Sequence, residues 1–124
     1  MAVVELNKES FEQTVNENDF VIVDFWAPWC APCRSFAPTY EKVSNDFDDV
    51  VFAKVNTEDE QEIATHFQIR SIPTLMIFRE KIIIFSQAGA LPEQAFRQLV
   101  DRARELDMNE VRAQIEAEQA KQNG

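Results

Sequence analysis

The chain holds two cysteines, Cys30 and Cys33, with Ala31 and Pro32 between them. Two thiols at this spacing have two ordinary chemistries: half of a tetrahedral zinc site, or a pair that cycles between dithiol and disulfide. Zinc takes four ligands, and the sequence offers a single histidine, His66, and no third cysteine, so a closed metal site would need carboxylates or a second chain. The residues therefore favour redox chemistry, with no metal and no cofactor expected. Placement strengthens the reading. The pair follows the β-branched and aromatic run Phe20-Val21-Ile22-Val23-Asp24-Phe25 and opens a pattern of helical period, the strand-to-helix setting in which C-x-x-C reads as a redox motif. At a helix N-terminus, Cys30 would meet unpaired N–H groups and the positive end of the helix dipole, which favour a thiolate and lower its pKa from about 8.5. Cys33, one turn further on and shielded by Phe25 and Phe36, is placed to attack only a sulfur already bonded to Cys30.

Asp24 is the other polar residue of interest, because a carboxylate inside an apolar strand costs free energy unless it is paired or neutral. The residues alone leave two readings: a carboxyl of raised pKa that accepts the proton of Cys33, or a side chain that caps a turn at the strand's end. Other features read as structural. His66 falls late in an acidic helix and belongs to its solvated face, Trp26 and the phenylalanines belong to the core, and Glu58-Asp59-Glu60 marks a helix start.

The elements that must position these residues follow from length and pattern. A chain of 124 residues, 45% hydrophobic, builds one core. The formal net charge of -10 and pI near 4.5 repel phosphate backbones and anionic lipid, so neither nucleic acid nor membrane is an expected partner. No basic stretch leads into an apolar run at the N-terminus, so no signal peptide is expected. The apolar stretches 20–29 and 72–85 carry Asp24 and Arg79-Glu80-Lys81 and fall short of the roughly 20 residues that span a bilayer. Two cysteines are also too few for a stapled secreted scaffold. A soluble protein of a reducing compartment, the cytoplasm, is the expectation.

Strands are expected at 3–6, 20–25, 50–56, 74–79 and 82–88, and helices after a cap at Asn7, over 33–47 with Pro38 inside, over 58–67, and from Pro92 with Phe96, Leu99, Val100 and Ala103 inward. The three charged residues between the last two strands require an antiparallel hairpin. The order βαβαβαββα argues an α/β fold, a mixed central sheet with helices on both faces. Residues 1–105 form the domain, and 106–124 a helical or frayed extension in which Asp107 and Glu110 could make a capping pair and Met108, Val111 and Ile115 a thin apolar stripe. Whether the extension docks, pairs between chains or frays is left open by the sequence.

Three separated segments carry a resemblance over residues 3–105. Val23-Asp24-Phe25-Trp26-Ala27-Pro28-Trp29-Cys30-Ala31-Pro32-Cys33-Arg34, with Ala37-Pro38 behind it, resembles the active-site segment of the thioredoxin family. Arg70-Ser71-Ile72-Pro73-Thr74 resembles its substrate-facing loop, and Gly89-Ala90 its third contact loop. The resemblance implies the thioredoxin fold and a protein-disulfide reductase working by dithiol-disulfide exchange through a redox-active pair, serving electron transport and cell redox homeostasis. It implies disulfide-containing protein substrates and an electron donor of the thioredoxin-reductase type. Residue by residue, it assigns Trp29, Ala31, Pro32, Ile72, Pro73, Gly89 and Ala90 to the surface on which a substrate chain lies and places a cis bond before Pro73. It makes Asp24 the proton acceptor, with Lys54 on the adjacent strand as its partner. The alternative is a binding or chaperone module of the same fold using the same groove; such a module needs neither thiol, so both cysteines favour the enzyme.

The sequence also departs from the family's pattern. Ala31 replaces the usual glycine of the active-site turn, which puts the redox poise in question. Arg79-Glu80-Lys81 lacks the customary turn glycine, and Gln68 and Ser71 stand where glycines are often found. Gly89, the one internal glycine, is then expected to serve a close backbone approach or an unusual dihedral angle.

Overall fold

The computed structural model describes residues 2–123 and contains ten elements: β1 (Val3–Glu5), α1 (Lys8–Glu17), β2 (Phe20–Trp26), α2 (Ala31–Ser44), β3 (Val51–Asn56), α3 (Gln61–His66), β4 (Thr74–Arg79), β5 (Ile82–Ala88), α4 (Glu93–Glu105) and α5 (Met108–Asn123). The strands form one sheet in the order β1-β3-β2-β4-β5. β1, β3 and β2 run parallel, while β4 is antiparallel to both β2 and β5. The mixed sheet, with helices on both faces, is the α/β architecture expected from the order of elements, and it agrees with the fold that the resemblance implies.

β2 has no solvated face because successive side chains feed two different cores. Phe20 and Ile22 join Phe52, Leu75 and Ile77 under α2 and α4, which contribute Phe36, Tyr40, Val43, Phe96, Val100 and Ala103. Val21, Val23 and Phe25 join Ala53, Val55, Met76 and Phe78 under α1 and α3, through Phe11 and Ile63. Alternation along a strand sends neighbours to opposite faces, so a run of apolar residues without gaps marks a strand covered twice. The first core is aromatic: Tyr40 stacks on Phe96 at 5.6 Å between ring centroids, and Phe36 and Phe52 meet them at an angle. Each such ring contributes about 1.5–3 kcal/mol through burial.

Several boundaries differ from those expected, for local reasons. α3 begins at Gln61 rather than 58, because the Asn56 side chain first accepts the N–H groups of Glu58 and Asp59 and holds them in a turn. α2 begins at Ala31 and ends at Ser44 instead of running to 47. The β4–β5 hairpin closes without glycine by placing Glu80 and Lys81 at φ of 52° and 70°, the left-handed pair that a two-residue hairpin requires. Gln68 likewise occupies a positive φ of 55°, so three of the residues noted in the sequence where glycine is missing adopt glycine-like conformations. Gly89, at φ 109°, has open space where a Cβ would stand; it is there for its dihedral angle and not for close approach.

The extension is helical. The Asp107 carboxylate accepts the N–H groups of Asn109 and Glu110 and so caps α5. The helix docks by its first turns: Met108 is buried, Val111 half-buried, and Arg112 pairs with Glu80 of the hairpin turn. Beyond Arg112 the helix is exposed.

Candidate active site

The site lies where β2 ends and α2 begins. Ala27 is fully buried and its carbonyl accepts the Cys30 N–H at 3.2 Å, which closes the turn. Cys30 is the N-cap of α2, and its Sγ accepts the N–H of Cys33 at 3.2 Å. An anionic sulfur here would therefore face a backbone donor and the positive end of the helix dipole. Pro32, in the first turn of the helix, withholds no bond the helix needs. Arg34 ties the turn from outside, its Nη1 donating to the Pro28 carbonyl at 2.8 Å. Cys30 and Cys33 form a disulfide, with their Cα atoms 5.2 Å apart. Both are buried, Cys30 at 4% exposure and Cys33 at 2%, in this oxidised form.

Two further loops close on the sulfurs. The Ile72 carbonyl oxygen lies 3.6 Å from the Cys30 Sγ, and the Ile72–Pro73 bond is cis. The Pro73 carbonyl accepts the Gly89 N–H at 2.8 Å and so joins the second loop to the third. Ile72, Pro73 and Gly89 thus converge on the disulfide, with Ala90 next in chain. Ala31 and Pro32 stand exposed on the first turn of α2, and Trp29 is 64% exposed beside them. The Trp29 Nε1–H donates to the Glu58 carboxylate. Sequence reasoning missed Glu58, having assigned 58–60 to a helix start; the available signal was Asn56, a turn-former two residues ahead of it.

Asp24 sits in the interior at 4% exposure, its Oδ1 without a hydrogen-bond partner. Burial pushes its pKa up to about 7, opposed by the charge of Lys54. The strand-end cap is therefore not its role: it lies inside β2 and leaves an acceptor unused. Lys54 stands opposite Asp24 in register, but its ammonium is not in contact with that carboxyl. It lies 3.7 Å from the Glu5 carboxylate and 4.9 Å from the centroid of the Trp26 ring. Lys54 reaches Asp24 only through space. The Trp26 Nε1 is a second buried polar atom without a partner, so both such atoms among the described residues belong to the end of β2 that delivers the cysteines. His66 is exposed, as the sequence suggested. Among the described residues no three His, Cys, Asp or Glu side chains are grouped to hold a metal ion, and no helix is long and apolar enough to cross a membrane.

The Thioredoxin family model matches residues 2–102, which include all three converging segments. The chain belongs to the thioredoxin family. It is similar to a Streptomyces coelicolor protein assigned as thioredoxin 2, with 53% identity over 96% of this chain and 89% of that protein. It is also similar to thioredoxin 1 of Synechococcus elongatus, with 41% identity over 75% of this chain and 89% of the relative. Among solved structures, a Plasmodium falciparum thioredoxin superposes with a TM-score of 0.75 at 31% identity, covering 82% of this chain and 98% of that one. A mutant thioredoxin from Halobacterium salinarum gives 0.78 at 26% identity, covering 85% and 93%. As a thioredoxin with a paired C-x-x-C, the chain is a thiol-disulfide oxidoreductase that works by dithiol-disulfide exchange. The family's partners are, in general terms, disulfide substrates and a reductase. The Streptomyces match spans 119 residues and so necessarily runs past residue 102, into α5.

Proposed function

We propose that the chain is a reductase of protein disulfides in which Cys30 attacks and Cys33 resolves. The observation that carries this reading is the position of the Cys30 Sγ as N-cap acceptor at the start of α2, which favours a thiolate on that sulfur over Cys33. In the dithiol form the Cys30 thiolate attacks one sulfur of a partner's disulfide; a Cys30–partner disulfide forms and the partner's other sulfur leaves as a thiolate. Asp24, with its carboxylate form accessible near neutral pH, takes the proton of Cys33. The Cys33 thiolate then attacks the Cys30 Sγ, forming the intramolecular disulfide and releasing the partner's second sulfur. Two electrons pass to the partner, and a dithiol-delivering reductase returns them to Cys30 and Cys33.

On this reading Trp29, Ala31, Pro32, Ile72, Pro73, Gly89 and Ala90 form the surface under the partner chain. Support comes from the convergence of the Ile72–Pro73 and Gly89 segments on Cys30 and from the exposure of Trp29. Residues 1–105 then form the catalytic domain and 106–124 an appended helix, and the cytoplasm, with its reducing poise, suits the reaction. The test is to replace each sulfur in turn. Cys33→Ser is expected to accumulate a partner joined to Cys30, visible by non-reducing electrophoresis and mass spectrometry, while Cys30→Ser traps nothing and reduces no insulin disulfide. Trapping by Cys30→Ser alone would reverse the two roles.

A further inference from the structure

The face of the sheet beneath α2 carries a row of three charged or ionisable residues that the site reading does not fully use. Val3, Phe52 and Ile22 lie side by side across β1, β3 and β2, and all three belong to or pack against the core under α2 and α4. Two residues further along each strand the same face repeats the row as Glu5, Lys54 and Asp24. Neighbouring strands are about 4.8 Å apart, so the lysine's backbone stands between those of two carboxyl residues. Its ammonium is found toward Glu5 and over the Trp26 ring, leaving the Asp24 Oδ1 without a partner.

We propose that Glu5 is a positioning residue for the resolving step: it holds the Lys54 ammonium toward the sheet edge and thereby leaves Asp24 as an unpaired, protonatable carboxyl. Were Lys54 to close on Asp24, the ion pair would fix the carboxylate in its charged form and weaken it as a base, since an opposite charge in contact stabilises the ionised state. The effect works through Asp24, so the proposal rests on the proton-acceptor reading only for its catalytic consequence.

The remaining neighbours of Asp24 do not supply a competing charge. Across the other edge of β2 the register partner is Leu75 of β4. From α2, Tyr40 is held neutral by burial, with the charge of Asp24 raising its pKa further, and Cys33 is in the disulfide. Glu5 and Lys54 are both partly exposed, at 51% and 40% of their side chains. An ion pair so placed adds little to stability; its consequence is where the lysine points.

The test follows the Asp24 carboxyl carbon by NMR titration in the oxidised protein, the redox state of the structure. Glu5→Gln is expected to lower the Asp24 midpoint by about half a pH unit at low ionic strength, and by less as salt is added. Lys54→Met is expected to raise it. In the Lys54→Met background, Glu5→Gln is expected to move the midpoint by clearly less than in the parent, because no lysine remains to be released. An unchanged or raised midpoint in Glu5→Gln overturns the proposal. So does an equal shift in both backgrounds, which would assign the effect to direct repulsion between Glu5 and Asp24. This readout is independent of whether Asp24 takes the Cys33 proton, which is tested separately by the pH dependence of release from the Cys30–partner disulfide.

Discussion

Two aspartates at opposite ends of the same sheet have opposite surroundings. Asp24, near the end of β2 that delivers the cysteines, is buried, has an unused acceptor, and is pushed up to about 7 by desolvation. Asp49, ahead of β3 at the far end, is exposed and gripped by Arg104 through two bonds of 2.7 and 2.5 Å, and that grip holds its carboxyl below the usual carboxylate range. Among the described residues the far end has no buried side-chain polar atom without a partner. Arg97 bridges Asp46 and Glu93, Arg79 donates to the Ala103 carbonyl at 2.5 Å, and Arg112 reaches Glu80. An unpartnered polar atom in the interior costs free energy, and among the described residues the molecule bears that cost only at the end of β2 that leads to the cysteines. The lesson is one of division: the far end holds the sheet and helices in place, and the cysteine end keeps a group whose ionised form the fold disfavours.

Replacing Asp24 tests this most severely. Below about pH 4 the carboxyl is protonated in both the folded and the unfolded chain and costs nothing. As pH rises toward 7 the unfolded chain ionises while the folded one resists, so stability falls, and above 7 the loss is constant. Asp24→Asn removes that loss. We expect it to stabilise the protein by roughly 4 kcal/mol at pH 8, with the gain vanishing below pH 4, as measured by urea unfolding across pH. Resolution of the Cys30–partner disulfide should slow at the same time. A variant destabilised at pH 8 would remove the basis of the comparison.

Removal of α5 by truncation after Glu105 is the middle case, since the helix docks on the far end through Met108 and Arg112. Loss of the buried methionine should cost about 2 kcal/mol and leave insulin reduction unchanged. A loss of turnover beyond what unfolding explains would show that the two ends are not independent. The smallest effect is expected for Asp49→Asn. Its ion pair is exposed, so the cost should be under about 1 kcal/mol at neutral pH. It should begin to fade as pH falls through the ordinary carboxylate range, where the unfolded chain is protonated first, and disappear only at the lower pH where native Asp49 is protonated too. That pH dependence is opposite in sign to the one expected for Asp24.

Much of this architecture was legible in the sequence because β2 announces itself: six successive apolar or aromatic positions interrupted only by Asp24 require cover on both faces, and the helix after Cys30 repeats Phe36, Tyr40 and Val43 at the spacing of one buried stripe. The cysteines were legible for the same reason, being placed where that strand must turn into that helix. What the pattern did not disclose were contacts made across distance by side chains free to choose among partners. The family resemblance set Lys54 beside Asp24, but which carboxylate its four-carbon stem would favour depended on Glu5 of β1, a residue the three-residue edge strand gave no reason to single out. Glu58 was misplaced because a charge run at a helix start and one in a capped turn have the same composition; only the Asn56 side chain distinguishes them. Glu80 and Lys81 show the limit of reading turns from glycine, since the hairpin closes in a left-handed conformation without one.

The hydrogen bond from Gly89 to Pro73, together with the approach of the Ile72 carbonyl to Cys30, has a consequence for which disulfides the molecule can use. Three loops, tied to one another and to a buried sulfur by these contacts, form a single rim without any partner's help. Association then takes little conformational entropy from this side of the complex. On the partner surface proposed above, the entropy is lost by the partner, whose chain lies along the rim to bring its disulfide to Cys30, and fixing each backbone residue costs about 1–2 kcal/mol. A disulfide in a loop already extended and exposed pays little of this, whereas one inside a packed helix or a tight core must first unfold its surroundings. Selection among substrates would therefore follow the partner's local flexibility more than its sequence.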